Sequence, residues 1–396
     1  MQTISVQERR RAMVGRHHLA GDAGGPEAAA RAIVALHATD PASVYLSVLA
    51  RSTESTLADV AQAMYDRRSL VRWMAMRRTL FVFPREDIPM IQASVSTPLA
   101  AVLRRRLISR LERNGTEPPI DDDAGAWLDD LASRVENALG KRGAATGSQL
   151  STDEPELRTS VLVRASSDRP QNVTSSLLTL MSAEGRLVRS TPVGAWTSRH
   201  HRWELVGRWW PEGLPAHDTG RAQQALARQW LTRFGPATVE DLQWWTGWTK
   251  TTVRRALDNL PVAEIDLHGQ PGITLRDSVG DLPDDTHAPV ASLLPALDPT
   301  PMGWKHRDWF LGIDYHAVFD RTGNIGPTVW WDGEIIGSWT ISAAGELRTR
   351  VLADRGAAAA AAIDAAAARL HQRLHGATVT AAFRTPLEQS ISRGHS

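Results

Sequence analysis

Three stretches of the chain repeat one order of positions: helix-spaced apolar residues, a short polar turn, a second helical stretch, then a strand pair. The clearest is 234–276. Thr238 reads as an N-cap with Asp241 three residues on, and Gly247 ends that helix. Thr249 opens the next helix, with Lys250, Arg254 and Arg255 on one side and Val253, Ala256, Leu257 and Leu260 on the other. Strand-like runs over 262–267 and 273–276 flank a turn rich in glycine and proline. This is the pattern of a helix-turn-helix with a two-stranded wing. A looser copy has helical stretches near 146–150 and 173–183, a strand at 185–189, a turn at 192–194 and a return strand at 196–203. A further copy lies at the N-terminus, with helices near 26–36, 42–51 and 56–66 and the strand Thr79–Phe83 in the wing position.

From about residue 288 the pattern turns to strands. Runs at 290–294, 309–313, 328–331 and 334–340 alternate with turn residues, and Asp332-Gly333 is a hairpin signal. The alanine-rich segment 356–374 predicts one helix, and 377–383 a final strand. Polar links at 114–123 and 211–218 mark boundaries. The expected units are 1–113, 114–215, 216–280 and 281–396. Periodicity alone yields the winged helices and a β region.

Composition adds bounds. With 396 residues, two to four structural units are expected. Hydrophobic residues make up 42% and charged residues 22%, the balance of a globular protein in water. No long uncharged apolar run predicts a membrane helix, and the N-terminal stretch lacks an apolar signal core. There is no cysteine, so disulfide and thiolate chemistry are excluded, and a cytoplasmic location is expected. The net charge is only +1, but its distribution is uneven. Between Arg67 and Arg113 stand Arg68, Arg72, Arg77, Arg78, Arg85, Arg104, Arg105, Arg106 and Arg110, against only Glu86, Asp87 and Glu112. Such a lobe reads either as a phosphate-binding surface or as a solvated helix face in an arginine-biased chain. The 15 tryptophans could stack on exposed bases, but packing is the commoner role.

The most informative local feature is Leu36-His37-Ala38-Thr39-Asp40-Pro41, at the end of the helix-spaced run Ala29, Ala30, Ile33, Val34. Pro41 disfavours helical geometry at Asp40, so the chain should leave the helix in extended form. Residues two apart in an extended segment point the same way, which would aim His37 and Thr39 at one pocket. Asp40 before Pro41 reads as the N-cap of a following helix. From residue types alone, His37 at a helix end and Thr39 as a local cap are the simpler assignments.

Segment 33–51 resembles the N-terminal motif of the AlkZ/YcaQ-like winged-helix DNA glycosylases, which usually reads Gln-x-Gln-Asp-Pro or Gln-x-Asp-x-Pro. Met76-Arg77-Arg78-Thr79-Leu80-Phe81 resembles that family's Met-Arg-Gly-Thr-Leu-His. Further matches are Trp196-Thr197-Ser198 to Arg202-Trp203 and Val329 to Trp339, so the resemblance runs in order along nearly the whole chain. It implies an α+β fold: three tandem winged helix-turn-helix units in a C-shape around a small C-terminal β-barrel, with DNA in the channel. It also implies a glycosylase acting on alkylated or bulky purine adducts, antibiotic-derived ones included, and a monofunctional one, since no lysine lies near the motif to form a Schiff base. By position, His37 and Thr39 take the places of the reactive pair, with His37 as base toward water and Thr39 orienting it. Neither carries negative charge, which suits cationic N7- or N3-alkylated purines whose base already leaves readily. Asp40 is a further candidate carboxylate.

Arg77, Arg78 and Thr79 are expected at the lesion or its flanking phosphates, with Arg104, Arg105, Lys250, Arg254 and Arg255 as further DNA contacts. Arg78 stands where relatives have Gly, and Phe81 where they have His. The pairs His17-His18 and His200-His201 cannot converge on one metal, and no metal or other cofactor is expected. The expected partner is damaged double-stranded DNA, bound by a monomer. The alternatives are a non-catalytic lesion-binding relative and a winged-helix transcription regulator.

Overall fold

The computed structural model describes residues 2–162, 171–278, 288–342 and 344–394. The chain forms two compact units. One comprises Met1–Val71, Phe81–Arg85 and Gln223–Ser396; the other comprises Arg72–Leu80 and Glu86–Ala222.

In the first unit, helix Val6–Arg16 starts at a complete capping box between Ser5 and Glu8. Helix Pro26–Ala32, strand Leu36–His37 and helix Pro41–Arg51 follow. Helix Leu57–Ala61 continues into a π-turn over Gln62–Asp66. Leu36–His37 pairs with the middle strand of a three-stranded sheet, Thr79–Pro84, whose other neighbour is Leu70–Ala75.

Helix Val239–Thr246 has the expected cap: Thr238 and Asp241 satisfy each other's backbone N–H groups, and Gly247 ends it in a left-handed conformation. Helix Lys250–Leu257 buries Val253 and Ala256 and leaves its basic residues outside. The antiparallel hairpin Val262–Asp266 and Pro271–Leu275 follows, and Gln2–Thr3 adds a parallel strand to it. Ile4 packs there with Ile265 and Leu267. The aromatic core joins Trp230, Phe234, Trp245 and Trp304, with His17 stacked among them. Packing therefore accounts for these tryptophans.

The C-terminal strands correct one expectation. Ala291–Leu294, Thr328–Trp331, Glu334–Ile341 and Leu347–Val351 form an open four-stranded sheet in that order, and the described residues contain no closed barrel. Closure needs further strands joining the two edges. The segments expected to supply them do not. Asp308–Phe310 is a 3-10 turn, and Leu311 makes one bridge to Ile335. Residues 377–383 form no strand, and the Ala382 N–H goes to Asp40 instead of a ladder. The Asp332-Gly333 turn is as expected, with positive φ at both positions and Trp331 opposite Glu334. The alanine-rich helix is Ala357–Arg373, packed on the sheet.

In the second unit, helices Thr97–Asn114, Ala124–Arg142, Gly147–Asp153 and Val173–Ala183 precede the hairpin Leu187–Pro192 and His201–Leu205. Short strands Thr116–Glu117, Ser160–Val161 and Gln171–Asn172 pair in that order. Trp73 is anchored by its indole N–H to Gln92 Oε1 at 3.0 Å and by an edge contact to Trp210.

Candidate functional site

His37 ends its short strand opposite Phe81. The imidazole meets the Phe81 ring edge-on, centroids 5.0 Å apart, and the residue is 7% exposed. Phe81 in turn lies 6.0 Å from Phe83, so one side of the imidazole is apolar. The Thr39 backbone N–H points to His37 Nδ1 at 3.5 Å. That long contact closes a local turn, and the chain bends at Thr39 and Asp40. The bend interrupts the strand alternation that would aim both side chains the same way: Thr39 is exposed while His37 is buried. In a neutral ring whose Nδ1 accepts, Nε2 carries the hydrogen.

Asp40 is the N-cap of helix Pro41–Arg51, extended at φ −100° and ψ 115°, with proline at the first helical position. Its Oδ1 accepts from Ala42 N at 3.3 Å and its Oδ2 from Ala382 N at 3.0 Å. Below it a cavity of 20 Å³, room for about one water, is lined by Ser43, Pro295 and Trp339 among others.

Arg77, Arg78 and Thr79 belong to the second unit through Leu80. Arg77 and Arg78 both have left-handed backbones, φ 54° and 60°, and both are exposed. A left-handed position favours Gly, which fits the Gly of the resembled motif at position 78. Thr79 is half-buried, and its hydroxyl donates to the Arg77 carbonyl at 3.4 Å.

Arg104 and Arg105 differ. Arg104 is engaged inside the protein, with Asp129 at 2.6 Å and Glu184 at 3.8 Å, whereas Arg105 is exposed. The residues that accompany Arg78 are Arg106 and Arg110. The three line a 260 Å³ cleft with Ser175, Ser176 and Thr179. Their i,i+4 spacing in helix Thr97–Asn114 is the signal that singles them out from their neighbours. Lys250, Arg254 and Arg255 are exposed on helix Lys250–Leu257 in the first unit. Among the described residues, no group of three acidic or histidine side chains could hold a metal, and no helix is long and apolar enough to cross a membrane.

None of the curated proteins matches the chain. Among solved structures, Streptomyces sahachiroi DNA glycosylase AlkZ superposes with a TM-score of 0.72 at 18% identity, over 96% of this chain and 99% of that one. At that identity the likeness speaks for the fold. The profile of the family described as DNA glycosylase AlkZ-like matches residues 30–373, which takes in the His37 turn, both arginine clusters and the C-terminal sheet. On that match, the chain belongs to the AlkZ-like DNA glycosylase family.

Proposed function

We propose that the protein is a monofunctional DNA glycosylase that hydrolyses the N-glycosidic bond of N7- or N3-alkylated or bulky purine adducts. The observation that carries this reading is the family match across the His37 turn, together with the buried imidazole that this turn holds. Cleavage builds positive charge on the sugar and needs a water activated toward it. His37 is the group that takes the proton from this water. The long Thr39 contact shows that Nδ1 accepts in the neutral ring, so Nδ1 is the basic atom. The exposed Thr39 hydroxyl orients the water. Asp40, whose oxygens hold Ala42 and Ala382, acts as a positioning residue that fixes the turn.

A cationic alkylpurine leaves without a carboxylate beside the sugar, which matches a site offering only imidazole and hydroxyl. In this reading the three helix-and-hairpin segments are winged-helix units. Arg77, Arg78, Arg105, Lys250, Arg254 and Arg255 hold backbone phosphates, and Arg104 supports them from its ion pairs. The protein works as a monomer in the cytoplasm and needs no cofactor.

The test is incubation with duplex DNA carrying N7-methylguanine, followed by alkaline cleavage at abasic sites. Strand breaks at the lesion support the proposal. Retarded DNA without breaks favours the lesion-binding alternative, and protection of one unmodified sequence favours a regulator.

A further inference from the structure

Two arginines and a histidine of the second unit lie near one another, and among the described residues no carboxylate pairs with them. Arg189, Trp203 and His201 share one face of the hairpin Leu187–Pro192 and His201–Leu205. Arg189 is registered opposite Trp203, and His201 is two residues before it. The Arg189 guanidinium carbon lies 4.9 Å from the Trp203 ring centroid, and the His201 ring lies 4.8 Å from it, edge-on. The pairing register shifts between Arg189 and Pro192, a bulge of the kind that re-aims side chains at binding sites.

Arg72 is contributed by strand Leu70–Ala75 and is 4% exposed. Arg72 Nε, Arg189 Nε and His201 Nε2 are all buried without a hydrogen-bond partner among the described residues. No carboxylate of the described residues pairs with either arginine. Glu204, on the same strand as His201, accepts from the Trp209 indole at 3.0 Å. Burying even one unpaired charge is costly, and a second like charge beside it adds to the cost.

We infer that Arg72, Arg189 and His201 form a binding site for a phosphate-class oxyanion. Arg189 and His201 both lie against the Trp203 ring, and Arg72 is near enough for its charge to act on both, an array of two guanidinium groups and an imidazole that fits a tetrahedral anion with several acceptor oxygens. Arg189 and His201 are half-buried, and Arg72 is buried. The electrostatics agree. Burial and the neighbouring Arg72 push the Arg189 guanidinium down to about 10. Burial, then Arg189, push His201 down to about 3, with Arg72 and His200 adding to this and the Arg199 carbonyl opposing it.

His201 Nδ1 lies 3.2 Å from the Arg199 carbonyl, so Nδ1 carries the hydrogen and Nε2 is a bare lone pair in the neutral ring. An anion with its own proton, such as dihydrogen phosphate, donates it to Nε2. An anion with none, such as sulfate or a phosphodiester, binds with uptake of one proton by His201. Sulfate affinity therefore rises as pH falls, by up to tenfold per unit.

The inference does not depend on glycosylase activity. Its test is thermal unfolding of the full chain in sodium phosphate against sodium chloride at equal ionic strength. Arg189→Gln and Arg72→Met serve as controls for the general stabilisation that excluded salts give. Wild type should gain about 3 °C more from phosphate than either variant does. In chloride, Arg72→Met should be no less stable than wild type, because it removes an uncompensated charge. In parallel, the His201 imidazole resonance, assigned with His201→Gln, should move toward the protonated position on adding sulfate at pH 6. Equal phosphate responses in wild type and Arg189→Gln, with an unmoved His201 resonance, would overturn the site. Loss of stability in chloride for Arg72→Met would also overturn it, by making that arginine structural. If Arg72→Met does not fold, Arg189→Gln and the resonance decide. Adding excess unmodified duplex then separates the sources: a backbone phosphate abolishes the inorganic phosphate effect, while a free anion leaves it intact.

Discussion

Arg51 and Asp298 meet through two parallel contacts, Nη1 to Oδ2 at 2.8 Å and Nη2 to Oδ1 at 2.7 Å, with both side chains wholly out of solvent. Ser47 and the Thr300 backbone N–H complete the carboxylate, and the Thr300 hydroxyl accepts from Arg51 at 2.6 Å. The Arg51 Nε is the one atom of the pair buried without a partner among the described residues. A buried pair of this kind stabilises little against an apolar substitute, but half of it is very costly. Asp298→Asn should lower unfolding stability by about 3–5 kcal/mol in denaturant titration, and Arg51→Met with Asp298→Leu by clearly less. Equal losses would mean that the pair itself, not an orphaned charge, sets the cost.

His17 sits at the end of the same network. Its Nδ1 lies 2.9 Å from the Thr300 hydroxyl and its Nε2 3.1 Å from the Arg233 carbonyl, so Nε2 carries the hydrogen and the ring is held neutral. Burial, then the Arg51 charge, hold its pKa well below the ordinary 6.5. The unfolded chain therefore takes up a proton that the folded one refuses. The stability from a neutral His17 is complete above pH 6.5 and is lost as pH falls below it. Melting temperature should drop from pH 6.5 to 5. His17→Gln should flatten the slope by about 1.4 kcal/mol per pH unit, and an unchanged slope contradicts this assignment.

Much of the local structure was legible because it is written in neighbouring residues. Thr238 with Asp241, Gly247 and Asp332-Gly333 act through their own backbone, so the third helix pair and the hairpin of Thr328–Trp331 with Glu334–Ile341 were foreseen. The open sheet in place of a barrel was not, because a strand exists only where a partner edge accepts it, and 377–383 spends its Ala382 N–H on a carboxylate far away in sequence. The His37 turn was half legible. Pro41 and Asp40 announced the cap, but the bend that exposes Thr39 depends on its N–H turning back to the imidazole. Arg72, Arg189 and His201 carry no sequence signal as a group, since three separate segments bring them together.

Asp40 separates support from chemistry. Asp40→Ala removes the cap and the tie to Ala382, and should cost about 2 kcal/mol. Asp40→Asn keeps an acceptor oxygen and should retain most of the stability and the excision rate. A folded Asp40→Asn with no excision would make Asp40 the reactive group in place of His37.

Arg78 is in a conformation that glycine adopts without strain. Arg78→Gly should leave stability unchanged or raise it by about 1 kcal/mol. If Arg78 and its cleft companions Arg106 and Arg110 hold a phosphate, DNA affinity should fall and the salt dependence should shrink by about one counterion. Unaltered affinity across a salt titration would exclude Arg78 from the interface.

In the proposed function, His37 activates the water that attacks the sugar. The most direct measurement is the single-turnover excision rate of N7-methylguanine from duplex DNA by wild type and His37→Ala, with DNA affinity measured alongside. The account predicts a wild-type rate that climbs with pH as imidazolium gives up its proton and then levels off. It also predicts a drop of about 10²-fold or more in His37→Ala, at unchanged affinity. Full excision by His37→Ala would contradict it.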